Sequence, residues 1–250
     1  MRTQRAGSLT QGLVGAWCPS LGATGFRLQD RSGRNNHGTL TNMASTAWVT
    51  SGGKGALECV PNGFVVSSNI PARNNADPIS LGGWFFAPAA SYTGANYFLS
   101  IPNASSGSNG LDFSNPQAAT LRFFGASAGI TLSSSIDLRN KWTHLYGVFD
   151  GSRAILYANG ELVTSTSHTA GTATASREFN LGRFGSFGGF TSIISDDVRL
   201  YYRALTAPEV RQLYIGGRGF GLIPERQRRR GTAAAAGTNR RRRILCGDYS

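Results

Sequence analysis

Apolar positions in this chain recur mostly with a period of two, or in short unbroken runs, and turn residues separate them. Residues 141–163, KWTHLYGVFDGSRAILYANGELV, show the pattern most fully. Trp142, His144, Tyr146 and Val148 fall on one face of a strand, and Thr143, Leu145 and Phe149 on the other, with Gly147 between them. Both faces carry apolar groups, which predicts a strand covered on both sides, in the middle of a sandwich. Asp150-Gly151 and Asn159-Gly160 punctuate the stretch. Asn-Gly supplies the positive φ that a type I′ turn needs at both central positions, so three antiparallel strands in a row are expected. Tyr157 and Val163 would extend the same packed surface.

The same pattern predicts further strands at 12–17, 79–87, 97–101, 120–124, 130–132, 178–182, 190–194 and 197–202. Residues 56–60 and 64–67 read as a strand pair split by Pro61-Asn62-Gly63. Residues 30–40, DRSGRNNHGTL, read as loop chemistry, because Asp, Ser, Gly and Asn make local turns. The Thr/Ser/Ala/Gly stretch 165–176 reads as a surface connection or a weak edge. One helix is expected. Thr206-Ala207-Pro208-Glu209 is a capping box with proline in the first turn, and Gly216-Gly217 ends the helix after about Tyr214. These elements predict an all-β, antiparallel sandwich or barrel with one short C-terminal helix.

Composition agrees with a turn-rich β chain: 33 glycines, and charged residues at only 15%. A length of 250 residues leaves room for one large sandwich core. No stretch is long and apolar enough to span a membrane. The start, MRTQRAGSLTQG, has Arg2 and Arg5 but no apolar run behind them, so conventional secretion is not expected. Cys18, Cys59 and Cys246 are odd in number and not in metal-like spacing, which fits buried free thiols in a reducing compartment.

Charge changes the picture at the C-terminus. The net charge is +12, and residues 216–250 hold nine arginines against Glu225 and Asp248. The expected organisation is a basic arm over 1–11, a globule over 12–215 and an Arg-rich tail over 216–250. The segment RQRRRGTAAAAGTNRRRR has nothing to bury in a core and should be disordered in isolation.

Three motifs, in order, resemble the LamG-like (concanavalin A-like, laminin G type) jellyroll family. The first is Leu13-Val14-Gly15-Ala16-Trp17 followed by Asp30-Arg31-Ser32-Gly33-Arg34-Asn35-Asn36-His37-Gly38-Thr39-Leu40. The second comprises Trp142, His144, Asp150-Gly151, Leu156-Tyr157 and Asn159-Gly160. The third runs from Asp196 through Val210. The resemblance implies two packed antiparallel sheets in a jellyroll, carbohydrate or protein ligands, and often a structural calcium. The acidic segment that relatives carry after the second part of the first motif is replaced here by Cys59-Val60-Pro61-Asn62-Gly63-Phe64. Calcium takes about six or more oxygens, largely carboxylate, so this departure weakens the case for the metal.

Catalytic chemistry finds little support. Gly125-Ala126-Ser127-Ala128-Gly129 fits a nucleophile elbow on paper, but strand follows it where that motif needs a helix. Glycosidases need two close carboxylates. The five glutamates are scattered, and Asp196 and Asp197, as neighbours on a strand, should point to opposite faces. The chain therefore reads as non-enzymatic and without an organic cofactor. Asn103-Ala104-Ser105 fits a glycosylation site that matters only after export.

Binding residues are sought in the loops. Asp30, Asn35 and His37 are candidates for a ligand site, although turn-making accounts for them equally well. His144, beside Trp142, reads as a half-buried structural histidine. Phe184 and Phe187 stand in a glycine-rich loop, where they are expected either to pack over the sandwich end or to form an exposed aromatic patch. Asp30 and Asp196 are the candidate calcium ligands.

Arg226, Arg228, Arg229, Arg230, Arg240, Arg241, Arg242 and Arg243 would act as an assembly anchor, with phosphate binding to nucleic acid as another use. The features together suggest a multimeric structural protein of a bacteriophage virion, in capsid decoration or tail and fibre attachment. It would contact other virion proteins through the tail and cell-surface glycans through the jellyroll. The alternative is a carbohydrate-binding module of a bacterial surface or extracellular protein.

Overall fold

The computed structural model describes residues 9–88, 96–102, 111–123, 129–169, 178–184 and 192–218. In chain order the strands are β1 (Leu13–Trp17), β2 (Arg27–Leu28), β3 (Gly38–Thr41), β4 (Trp48–Ser51), β5 (Lys54–Cys59), β6 (Phe64–Ser67), β7 (Ile79–Phe86) and β8 (Tyr97–Ile101). They continue with β9 (Leu111–Ser114), β10 (Thr120–Phe123), β11 (Ile130–Ser133), β12 (Thr143–Phe149), β13 (Arg153–Ala158), β14 (Glu161–Ser167), β15 (Phe179–Leu181) and β16 (Ile193–Tyr201). The helix α1 (Ala207–Gly216) follows.

The strands form two antiparallel sheets. The first has the order β14-β13-β12-β7-β16-β5-β4, with β1 also paired to β16. β5 takes the first half of β16 through Ile193–Cys59, and β1 takes the second half through Trp17–Val198. The second sheet has the order β11-β10-β9-β8-β15-β6-β3-β2. Apolar side chains of both meet in one core, including Leu57, Phe85, Leu145 and Leu200 from the first sheet and Phe98, Phe113 and Leu121 from the second. Trp17 crosses between them and stacks on Phe179, with ring centres 4.0 Å apart. This is the expected all-β, two-sheet jellyroll sandwich.

β12 is buried along its whole length, as its two-faced pattern predicts. Leu145 and Phe149 join the core, while His144 and Tyr146 lie on the outer face of the sheet. That face is covered by α1, whose Tyr214 packs on Trp84 and His144 at 5.6 and 5.8 Å. The helix starts as expected: Glu209 accepts the Thr206 N–H at 2.9 Å, and it ends at Gly217 with φ +70°. Asn159 and Gly160 both have positive φ, at +50° and +80°, and close the β13–β14 turn.

Several expectations are corrected. Residues 54–59 and 64–67 are not a hairpin: β5 pairs with β16 and β4 in one sheet, β6 with β15 and β3 in the other. Pro61-Asn62-Gly63 hands the chain across the sandwich, with Asn62 at φ +67°. Alternation alone cannot tell a hairpin from such a crossing, because both strands face the same core. The strands expected at 190–194 and 197–202 meet as the single strand β16, bent by a bulge at Asp197 (φ +50°). β2, β3, β4 and β9 were unforeseen; at two to four residues they are too short to show a pattern, and β2 and β4 are edge strands that pair with the next strand in the chain. Val163 does not extend the packed surface. It is 37% exposed and Leu162 60%, because β14 is the edge of its sheet.

Candidate functional site

Asp30 is buried and fully engaged. Its Oδ1 accepts the N–H of Ala16 and Ser32 at 2.9 and 2.8 Å, and its Oδ2 accepts the Ser32 hydroxyl and the Asn36 N–H at 2.7 and 2.9 Å. His37 Nδ1 accepts the Asp30 N–H at 3.0 Å. Asn35 is exposed with φ +60°, a turn-making position. Asn36 is the inward residue. Its amide donates to Val14 O at 2.7 Å, and its carbonyl accepts the Trp17 indole N–H at 2.9 Å. The loop therefore ties β1 to its surroundings through Asp30.

Asp196 is also buried. Its Oδ1 accepts the N–H of Ser20 at 3.2 Å and of Asp197 at 2.8 Å, and its Oδ2 lies 3.4 Å from Arg218 Nε. The bulge brings its neighbour Asp197 to the same segment, where Asp197 Oδ1 accepts the Cys18 thiol at 3.0 Å. The expected opposition of the two aspartates is thereby lost, since positive φ breaks strand alternation. Asp30 and Asp196 serve different segments, and their oxygens are taken by protein donors, which does not fit calcium. Among the described residues no three His, Cys, Asp or Glu side chains gather as metal ligands.

Phe184 is buried and packs on Tyr97 at 5.0 Å, so it is no exposed aromatic. Phe187 and the eight tail arginines lie outside the described residues, as do Gly125-Ala126-Ser127-Ala128, Asn103-Ala104-Ser105 and Cys246. Cys18 and Cys59 are buried free thiols. Burial, and then Asp197, push the Cys18 thiol well above its usual range, and burial pushes Cys59 up to about 12, so neither is an activated nucleophile. Burial lowers the His144 pKa to about 3 and keeps the ring neutral.

Open space lies at one end of the sandwich, around residues that the sequence does not mark as ligands. A cleft of about 460 Å³ is lined by Arg73, Asp77, Pro78, Tyr202 and Arg203. A second, of about 230 Å³, lies on the other side of Tyr202, against Leu13, Arg34 and Asn36. A third, of about 420 Å³, is lined by Ala76, Ser152, Ser167 and His168. The β6–β7 loop contributes to all three. Tyr202 is fixed by donating its hydroxyl to Pro71 O at 2.6 Å. Arg203 is fixed by a bidentate pair with Glu209, both contacts at 2.8 Å. Arg73 donates from Nη2 to the carbonyls of Asn75 and Asp77, at 3.1 and 2.8 Å. The readable signal was the loop PARNNADP, 71–78, with proline at both ends and polar groups between.

The opposite end of the same sheet holds Arg218. Its guanidinium lies 3.7 Å from the Trp142 ring centre, and Lys54 Nζ donates to its carbonyl at 2.6 Å. Asp196, which contacts Arg218, and Tyr202, which lines two clefts, are separated by six residues along β16 and its extension, a span of roughly 20 Å. Arg218 and the clefts thus sit at opposite ends of the sheet.

Solved structures with this fold include the binding domain of paraclostridial mosquitocidal protein 1, at 16% identity and a TM-score of 0.65 over 83% of this chain and 52% of that one. The binding domain of botulinum neurotoxin DC, solved in complex with rat synaptotagmin II, matches at 12% identity and a TM-score of 0.67 over 84% of this chain and 52% of its own. The chain spans about half the length of these structures, and at such identities the likeness shows the fold alone. No curated protein matches the chain. The family model described as the concanavalin A-like lectin/glucanases superfamily matches residues 62–211. With the two-sheet jellyroll, that match makes the chain a member of the concanavalin A-like lectin/glucanases superfamily.

Proposed function

We propose that the chain is a non-enzymatic binding protein of a large assembly, with the jellyroll displayed and the Arg-rich tail as its anchor. A bacteriophage virion is the assembly that unites the features, as capsid decoration or as a tail or fibre attachment. The observation that carries this reading is the gathering of ligand-sized clefts at one end of the first sheet, in a chain whose segment 216–250 holds nine arginines. A clefted jellyroll joined to a basic segment suits a protein that holds an assembly and also meets an outside partner. The absence of a catalytic role is supported by the buried carboxylates, since Asp30, Asp112, Asp196, Asp197 and Glu209 all hold protein partners.

A second reading, a carbohydrate-binding module of a bacterial surface or secreted protein, is favoured by the mixed polar and aromatic lining beside Tyr202. A nucleic-acid role rests on the tail arginines alone, and it predicts binding that weakens steeply with added salt.

The test compares the full chain with one ending at Phe220, which keeps the Arg218 clamp. Each is mixed with phage particles lacking the protein and sedimented, and a glycan array is run in parallel. Sedimentation of the full chain alone supports the anchored reading. Glycan binding by both forms without sedimentation transfers the assignment to the carbohydrate-binding module. If neither form binds particles or glycans, both readings fail.

A further inference from the structure

The buried arginines divide into two kinds. Arg199 holds Asp197 at 2.7 Å and Arg218 reaches Asp196 at 3.4 Å; the half-buried Arg122 and Arg203 hold Asp112 and Glu209 at 3.0 and 2.8 Å. Arg73 is as buried as Arg218, at 9% exposure, yet no carboxylate among the described residues pairs with it. Its two hydrogen bonds are to backbone carbonyls, and its Nε is buried without an acceptor. Carbonyl dipoles compensate only part of a full charge. A guanidinium does not shed its proton, and Asp77, which attracts it from the same wall without pairing with it, leaves the Nε–H open to an anion. Arg73 lines the cleft of about 460 Å³, a volume suited to a small ligand rather than a bare ion.

We propose that this cleft binds a sugar carrying a carboxylate, with Arg73 holding the carboxylate, the Tyr202 ring meeting the apolar face of the sugar, and Asp77 accepting its hydroxyls. The class follows from the lining. Asp77 is exposed on the same wall, with Oδ2 taken by the Asn74 N–H at 2.9 Å and Oδ1 left to face solvent. An exposed carboxylate beside the cation disfavours a phosphate or sulfate dianion. It suits a singly charged ligand rich in hydroxyl donors. Arg203 adds no free charge, since Glu209 neutralises it. Tyr202 offers an oriented ring, with the Arg73 guanidinium 6.0 Å from its centre.

The assignment rests on the binding-protein reading, but its failure is separable. Glucuronate, glucose and acetate are titrated in turn into the full chain, followed by calorimetry and by the Arg73 Nε–H resonance. Glucuronate alone should bind and shift that resonance. Arg73→Gln should weaken glucuronate by about tenfold or more, the scale of one charge-assisted hydrogen-bond pair. Asp77→Asn, at an exposed site, should weaken it several-fold without changing the melting temperature. If Arg73→Gln fails to fold, the wild-type resonance and Asp77→Asn still decide. Equal binding of glucose or acetate, or an undisturbed Arg73 resonance, overturns the proposal. Should Arg73→Gln lose glucuronate yet still sediment with particles, the cleft and the anchor are separate functions. Should wild type ignore glucuronate yet sediment, the anchored reading survives without this site.

Discussion

Asp197 and Arg199, two residues apart on β16, close a bidentate ion pair with Nε–Oδ1 at 2.7 Å and Nη2–Oδ2 at 3.0 Å, beneath a surface that leaves them 4% and 1% exposed. The pair depends on the bulge at Asp197, whose positive φ turns its carboxylate to both Arg199 and the Cys18 thiol. Asp197→Ala would leave the guanidinium uncompensated in the sheet and is expected to destabilise the fold by roughly 3 to 5 kcal/mol. Urea unfolding of the variant beside wild type measures the difference. A change below about 0.5 kcal/mol, the usual span of neutral surface substitutions, rules out a stabilising pair.

His144 predicts an acid-side loss of stability. Its folded pKa, lowered by burial to about 3, lies below the unfolded value of 6.5. The unfolded chain thus takes up the proton first. The contribution of the neutral ring is fully present above pH 6.5 and declines as pH falls toward 3, by about 1.4 kcal/mol per pH unit. His144→Phe keeps an aromatic ring between Trp84 and Tyr214 and should flatten the stability profile between pH 6.5 and 5 relative to wild type. His168, also lowered by burial, leaves a smaller residual slope in the variant. Parallel slopes for the two proteins over that range would show that His144 does not titrate on unfolding.

Gly82 is where the outer layer meets the sheet. A Cβ at this position would lie 2.1 Å from the Leu145 carbonyl and 2.6 Å from the Tyr146 ring. The first contact is with backbone and cannot be relieved by a rotamer change, so Gly82→Ala should cost about 3 kcal/mol. Thermal unfolding of the purified variant checks this, and an unchanged midpoint would mean that β7 and β12 pack differently.

Arg218 and Asp196 give a prediction with the opposite pH sign from His144. Asp196 already has a pKa raised by burial, with Arg218 opposing that shift. Arg218→Ala removes the cation and should destabilise the fold by about 2 kcal/mol at pH 7, from an unpaired buried carboxylate. A carboxylate with a raised folded pKa binds its proton more tightly when folded. The loss should therefore shrink as pH is lowered through that pKa and grow as it is raised. Denaturation at pH 5 and at pH 8 distinguishes this from loss of packing on Trp142, which would be the same at both.

Sequence pattern by itself determined the fold class, the central strands β12 to β14 and the cap of α1. Each rests on local chemistry: two-faced alternation, Asn-Gly at a turn, and a glutamate three residues after a threonine. The family motifs pointed to the loop around Asp30, where the carboxylate satisfies the N–H groups of Ala16, Ser32 and Asn36. Tertiary structure alone decided that Pro61-Asn62-Gly63 crosses between sheets, since β5 and β6 find partners more than a hundred residues away. It alone placed Asp196 and Asp197 on one segment through a bulge that no alternation pattern reveals. It also buried Arg73, a loop residue like others in sequence, beside Tyr202 and left it without a carboxylate in an ion pair among the described residues. A charge acquires its meaning from what surrounds it, and those surroundings are assembled from segments far apart in the chain.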